Sequence, residues 1–258
     1  MKRIAVYIST LVFLLCWLGP AVAEDVSTDP NHLFAKGNSL YERRDYEQAL
    51  AEYKKALDQG IESGPIYYNI GNTYFKLGKT GYAILYYKKA LKLSPADSDL
   101  KSNLGYAQSL TEDSGLQPLA ANKFAWLVKI PFKEFTLNGV ARILGALYLV
   151  MIAMIIGGIV NRTFGRRATI VFYPVLILFI MALAGFSVRY YEEEVLTHGI
   201  IVAKDAECKY EPIDKSTTYF TLKNGQEVLL LKSRNGWSRI KRLDGKLGWV
   251  KSDAVEEE

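Results

Sequence analysis

Side chains able to do chemistry are sparse in this 258-residue chain. Its two histidines, His32 and His198, lie far apart, and its cysteines are Cys16, inside an apolar leader, and Cys208. With that inventory no metal-ligand cluster, redox pair or intrachain disulfide is expected. Cys208 reads as a half-buried strand residue, with an intermolecular bridge as the alternative for a free thiol in an oxidising compartment. No phosphate-cradling glycine loop and no nucleophile elbow is visible, so catalytic residues, metals and cofactors are all expected to be none. The net charge of +5 belongs to the whole chain, including basic residues beside apolar runs, and gives no reason to expect nucleic acid. The acidic groups Glu192 to Glu194 and Glu256 to Glu258 are expected to stay solvated. What remains is the chemistry of recognition: aromatic faces and amides at Phe34, Asn38, Tyr41, Tyr68, Asn69, Asn72 and Phe75, and two indoles, Trp237 and Trp249.

The first set sits in a periodic frame. Gly37, Ala49, Tyr53 and Ala56 recur 34 residues later as Gly71, Ala83, Tyr87 and Ala90, and the glycine recurs again at Gly105. A period of that length resembles tetratricopeptide repeats, in which a helix pair buries its apolar face only by stacking on the next. The sequence predicts two antiparallel helix pairs and a capping helix over residues 30–112. Gly37 and Gly71 are expected to face Ala49 and Ala83, letting the helices approach to about 8–10 Å. Pro95 ends the second pair, having no amide hydrogen to donate, and in the first pair Gly60 and Gly64 supply the break. The capping helix, from about Ala96 to Ser109, has Leu100, Leu104 and Ala107 as its apolar stripe and Ser94 or Asp97 as its cap. First-helix residues line the concave face of such an array. The seven aromatic and amide residues above are therefore the candidate peptide groove, suited to an extended or helical peptide. The same residue types also occur in repeats with no dedicated ligand. A grip on a C-terminal carboxylate is not expected, because its basic residues are missing and Phe34 stands where a lysine would.

Three apolar stretches set the compartment. Met1, Lys2 and Arg3 precede a run from Ile4 to Leu18 and a small-residue site Ala21-Val22-Ala23, which predicts a signal peptide over residues 1–23. Cleaved or kept as an anchor, it places the repeats outside the cytoplasm. Residues 143–160 and 168–188 carry no charge and approach or exceed the ~18–20 residues that cross a bilayer, predicting two transmembrane helices. The link between them, residues 161–167, has three arginines and no acid, so it is expected to be a cytoplasmic loop. Both flanking domains then lie on the exported, periplasmic side. Gly145, Gly157 and Gly158 are expected to let the helices pack closely, and Pro174 is tolerated where a neighbour satisfies the freed carbonyl. Residues 113–142 interleave Trp126, Phe132 and Phe135 with Lys123, Lys129 and Lys133, predicting an interfacial connector, or else a partner-docking element.

From about residue 195 to 255 the chain turns to short apolar stretches broken by Asn224-Gly225, Asn235-Gly236 and Asp244-Gly245. These are hairpin signals, and they predict about five short strands closed into a small barrel. The order of Gly225, Trp237, Gly245, Gly248, Trp249 and Val250 resembles the bacterial SH3 family, although residues 207–217 depart from that family's usual early motif. Trp237 and Trp249 are the candidate ligand face of the barrel, at least one of them serving the core.

The fold class expected is therefore multidomain: an all-α tetratricopeptide array, a two-helix transmembrane hairpin and a small all-β SH3-like barrel. That order resembles the E component of the Bat (Bacteroides aerotolerance) family. The resemblance implies a non-enzymatic inner-membrane scaffold acting with von Willebrand A-type membrane partners in aerotolerance or envelope stress. The alternative is a peptidoglycan-binding adaptor whose repeats recruit a cell-wall enzyme.

Overall fold

The computed structural model describes residues 29–111 and 127–258. The expected signal peptide, with Cys16, and the connector residues Lys123 and Trp126 lie outside the described residues. Five helices build the N-terminal array: α1 (Pro30–Glu42), α2 (Tyr46–Asp58), α3 (Gly64–Lys76), α4 (Thr80–Leu93) and α5 (Ser98–Ser109). Asp29 caps α1 by accepting from the Asn31 amide, and Asp97 caps α5 by accepting from the Leu100 amide. Leu100, Leu104 and Ala107 are buried as the apolar stripe of α5. The α1–α2 and α3–α4 turns both pass through positive φ at equivalent positions, 67° at Arg44 and 71° at Gly78.

The nearest neighbours of the two repeat glycines are tyrosine rings. A Cβ on Gly37 would meet the Tyr53 ring at 2.5 Å, and one on Gly71 would meet the Tyr87 ring at 2.6 Å. Each glycine thus makes room for a tyrosine of the second helix, and Ala49 and Ala83 are buried in the same core. The tyrosines then reach one residue further: the Tyr53 hydroxyl donates to Asn38 Oδ1 at 2.8 Å, and the Tyr87 hydroxyl to Asn72 Oδ1 at 2.7 Å. Glycine, asparagine and tyrosine form a cassette repeated in both pairs.

Two long apolar helices follow, α6 (Leu137–Val160) and α7 (Arg162–Tyr190). At 1.5 Å per residue, the 24 residues of α6 span about 36 Å, more than the ~30 Å hydrocarbon core. The apolar stretches Leu137–Val160 and Ala168–Val195 are long and apolar enough to cross a membrane. The first helix starts earlier than the uncharged run alone indicates, because Thr136 caps it by accepting from the Gly139 amide. The link expected as a loop over 161–167 is reduced to Asn161, whose backbone is extended, and helical winding resumes at Arg162. Basic residues do not interrupt a helix, so charge marked this link without fixing its conformation. Gly145 faces open space; the close approach is at Gly185, where a Cβ would lie 2.8 Å from both the Phe132 ring and the Val128 carbonyl. The described part of the connector buries Val128 and Phe132 and leaves Leu127, Ile130 and Phe135 exposed. Arg189 ties it down, donating to the Phe132 carbonyl at 3.0 Å and to the Phe135 carbonyl at 2.5 Å.

After a π-helical turn, Tyr191–Val195, the chain forms a seven-stranded antiparallel sheet: β1 (Thr197–Ile201), β2 (Asp205–Lys209), β3 (Thr218–Lys223), β4 (Glu227–Arg234), β5 (Trp237–Arg242), β6 (Leu247–Lys251) and β7 (Val255–Glu257). The strand order is β3-β2-β6-β5-β4-β1-β7. Asn235 and Gly236 both have positive φ, 52° and 77°, and close the β4–β5 hairpin as a primed turn requires. Asn224-Gly225 does not make a hairpin, since β3 and β4 are not neighbours.

That turn instead docks the sheet on the array. Gly81, near the start of α4, donates its amide to Asn224 Oδ1 at 2.6 Å, and Asn224 Nδ2 donates back to the Val202 carbonyl at 2.7 Å. The array's own residues give α4 no side-chain cap, so the barrel satisfies an amide that a helix N-terminus leaves orphaned. Ile200 of β1 is buried in the core of the array. The two folded units thus share apolar core as well as polar contacts.

Candidate functional site

Four of the seven groove candidates converge. Tyr41, Tyr68, Asn72 and Phe75 line a concave groove of about 350 Å³, together with Lys76, Tyr87, Asn103 and Tyr106. Phe75 and Tyr106 face each other across 5.7 Å between ring centroids, and Tyr68 lies 6.0 Å from Tyr87. The Tyr68 hydroxyl accepts from Asn103 Nδ2 at 2.7 Å. Burial raises the pKa of the Tyr41 hydroxyl, helped by Tyr46 and Tyr68, and burial likewise pushes that of Tyr87 up strongly. Both stay neutral hydrogen-bonding groups at ordinary pH. Asn72 has its carbonyl oxygen engaged by Tyr87, leaving its amide NH₂ as what it can offer a ligand.

Phe34, Asn38 and Asn69 do not line this groove. Phe34 packs against Tyr53 with centroids 5.8 Å apart. Asn38 Oδ1 accepts from Tyr53 and, at 2.8 Å, from Asn69 Nδ2. Those amides join one repeat to the next, a demand that sequence spacing cannot separate from ligand binding. Sequence reasoning also missed Asn103 and Tyr106, because α5 reads as a plain cap. The signal was present: one further step of 34 from Asn69 falls on Asn103, and from Asn72 on Tyr106.

On the barrel, the β5–β6 register sets Trp237 opposite Lys251 and Arg239 opposite Trp249. Alternation puts both indoles on the face away from Ile240 and Val250. Trp237 borders a cavity of about 410 Å³, with Asp205, Glu207, Lys209, Asp214 and Lys251 among its walls. The Lys251 ammonium covers the Trp237 ring at 5.9 Å, and Trp237 is 7% exposed. Trp249 lies under Lys232, 5.6 Å from its ammonium. Cys208 is fully buried in β2, and burial pushes its thiol up to about 12. Such a thiol is not poised for a bridge.

Of the acidic tail, Glu256 and Glu257 are exposed, whereas Glu258 is drawn into a cluster of ion pairs. Glu258 and Glu227 each place a carboxylate oxygen 2.8 Å from the Lys88 ammonium on α4, and Lys92 stands 3.7 Å from Glu258. His198 Nδ1 is 2.9 Å from Glu227. Burial alone would raise the Glu227 carboxyl, but the hydrogen bond with His198 and the charge and hydrogen bond of Lys88 hold it down to about 2. His198, Glu227 and Glu258 gather their ligand atoms within 4.8 Å, a grouping that the sequence does not reveal. The Lys88 ammonium between the two carboxylates supplies the positive charge that a metal would otherwise bring. Glu192 and Glu193 are likewise engaged, by Lys129 and Arg189.

A helical array with a lined groove, joined through two apolar helices to a small antiparallel sheet, defines a protein built from recognition modules. Family comparisons agree. The tetratricopeptide repeat model matches residues 65–97, a TPR repeat model matches residues 37–78, and the variant SH3 domain model matches residues 206–258. Such modules are in general interaction modules and not catalysts, tetratricopeptide repeats binding protein partners, and no enzyme family is among these matches. No curated protein sequence matches the chain. Among solved structures it is similar to that described as "Crystal structure of YrrB: a TPR protein with an unusual peptide-binding site", at 18% identity and a TM-score of 0.33, covering 70% of this chain and 86% of that one.

Proposed function

We propose that this chain is a non-enzymatic scaffold of the bacterial inner membrane, whose periplasmic repeat array binds a peptide segment of a membrane partner. The observation that carries this is the groove in which Tyr41, Tyr68, Phe75 and Tyr106 surround the amides of Asn72 and Asn103. Aromatic faces take apolar side chains, amides pair with a peptide backbone, and Lys76 favours an acidic residue in the ligand. The two apolar helices hold the groove at the bilayer, and the arginine-rich link between them supports a cytoplasmic turn with both domains exported. A Bat-type complex, with von Willebrand A-type membrane proteins as the partners and aerotolerance or envelope stress as the setting, fits this domain order.

Tyr68→Ala combined with Phe75→Ala removes two aromatic walls and is expected to cut partner recovery in a pull-down from detergent extracts by ten-fold or more, the scale of an interface hot spot. Circular dichroism of the full chain is expected to keep its helical signal. Recovery undiminished by the double substitution contradicts a groove-borne function.

The Trp237 cavity favours a second reading, an adaptor in which the barrel holds peptidoglycan and the repeats recruit a cell-wall enzyme. Carboxylates beside an indole suit a sugar, provided Lys251 swings off the ring. Co-sedimentation of the full chain with purified sacculi, lost in Trp237→Ala, is the outcome that belongs to this reading.

A further inference from the structure

A second cavity, of about 410 Å³, lies where the three parts of the molecule meet. Its walls come from α4 and α5 of the array, from the segment leading into α6, from the end of α7 and from the C-terminus of the barrel. Lys92, Lys101 and Lys133 face carboxylates too few to balance them. Glu134 is shared by Lys101 at 2.7 Å and Lys133 at 3.6 Å, while Glu258 serves Lys92 at 3.7 Å after pairing with Lys88 at 2.8 Å. Arg189 is spent on Glu193 and on the Phe132 and Phe135 carbonyls. Even with Glu227 counted against Lys88, the basic side chains lining the cavity outnumber the side-chain carboxylates around it by one. Lys92 and Lys133 keep side chains 36% and 70% exposed, so their ammonium groups are free to turn toward a ligand. The position of these cations along the chain matters as much as their number. Lys133 stands just before the first apolar helix and Arg189 one residue from the end of the second, on the side where both helices join the folded domains.

We propose that this junction binds the phosphate group of an anionic phospholipid headgroup, at the level where the apolar helices leave the bilayer. Flexible ammonium groups surround a phosphate diester as point charges. The glycerol side would meet Glu134 and Glu258, which accept hydroxyl hydrogen bonds. Lipid held here would fix the height of the repeat groove above the bilayer. This rests on the membrane placement proposed above.

The test uses the full chain in neutral maltoside micelles, titrated with dioleoylphosphatidylglycerol, with dioleoylphosphatidylcholine and with inorganic phosphate, and read by native mass spectrometry. One phosphatidylglycerol is expected to bind in preference to phosphatidylcholine. Lys92→Gln with Lys133→Gln is expected to weaken it about thirty-fold, the scale of two basic residues at a lipid surface, and Lys92→Arg with Lys133→Arg to restore it. Inorganic phosphate binding as tightly as the lipid would overturn the lipid assignment in favour of a soluble phosphate ester. Binding unaffected by the glutamine pair, or none of either probe, would overturn the site. Failure of the membrane placement has its own sign, release of the chain from membranes by alkaline carbonate, and the phosphate titration still reads the cavity in that case.

Discussion

Lys88→Met is expected to undock the barrel from the array. The substitution keeps most of the apolar stem but removes the cation between Glu227 and Glu258, leaving Lys92 at 3.7 Å from Glu258 as the remaining ammonium, and removing one partner of a buried ion pair costs up to about 3–5 kcal/mol. Each domain keeps its own core and stays folded, while the interface, still held by Ile200 and the Asn224–Gly81 bond, loosens. Limited proteolysis of the full chain is the direct measurement, with faster cleavage between β6 and β7 or in the Asn224-Gly225 turn as the expected result. Adding Glu227→Gln and Glu258→Gln to Lys88→Met removes the stranded charges and is expected to recover much of the loss. An interface as resistant in Lys88→Met as in the parent would contradict the role given to this ion pair.

The same contact has a pH dependence of definite sign. Glu227 is held at about 2, below its ordinary value of 4.5, so its contribution is fully present above the ordinary carboxylate range and is lost as pH falls from about 4.5 through about 2. Lys88 is shifted the other way: burial would lower it, but Glu227 and Glu258 raise it above 10.5. Its contribution is present below 10.5 and fades only as pH rises through the raised value. Docking is therefore expected to hold from neutral pH down to about 5 and to loosen below that.

Gly71→Ala is expected to destabilise the array by about 1–3 kcal/mol, the range for forcing a methyl into a filled core. The added carbon would sit 2.6 Å from the Tyr87 ring, and neither side can yield cheaply. Tyr87 is buried on α4, and its hydroxyl is fixed to Asn72 at 2.7 Å. Moving the ring also disturbs the groove wall, so partner recovery is expected to fall with stability. Thermal unfolding of the full chain followed by helical circular dichroism checks the first effect. The cause is checked by repeating Gly71→Ala in a Tyr87→Leu background, where much of the cost is expected to vanish because the two changes share one contact. An equal cost in both backgrounds would mean that the glycine serves some other purpose.

The repeat period made the array legible because its requirement is local. Glycine, alanine and tyrosine must recur at 34-residue intervals for each pair to stack on the next, and composition alone exposes that. The pairing of those residues was harder to read: spacing places Gly37 and Ala49 at the crossing, while only packing shows the Tyr53 ring filling the gap. The barrel was partly legible. Asn235-Gly236 marked its hairpin through backbone conformation, whereas β2 escaped notice because its inward residues, Ala206 and Cys208, are small and its outward ones charged. The docking of barrel on array could not be read, because it joins Lys88 to Glu258, 170 positions away. Charges that look solvated in sequence are buried once a distant cation arrives. The groove was half legible for a related reason, amides that bind ligands and amides that knit repeats being the same residues at the same spacing.

A membrane partner seated in the groove of the repeat array, as proposed above, lies within reach of a photoreactive side chain placed there. In-cell photocrosslinking tests it most directly, with a benzophenone amino acid placed at Tyr106 in the groove and, in a separate variant, at Gln108 on the exposed surface of the same helix. One membrane protein crosslinked from position 106 but not from 108, and lost when Tyr68→Ala and Phe75→Ala are added, is the predicted result. Crosslinks equally strong from both positions, or from 106 in the presence of the double substitution, would mean that the partner does not occupy the groove.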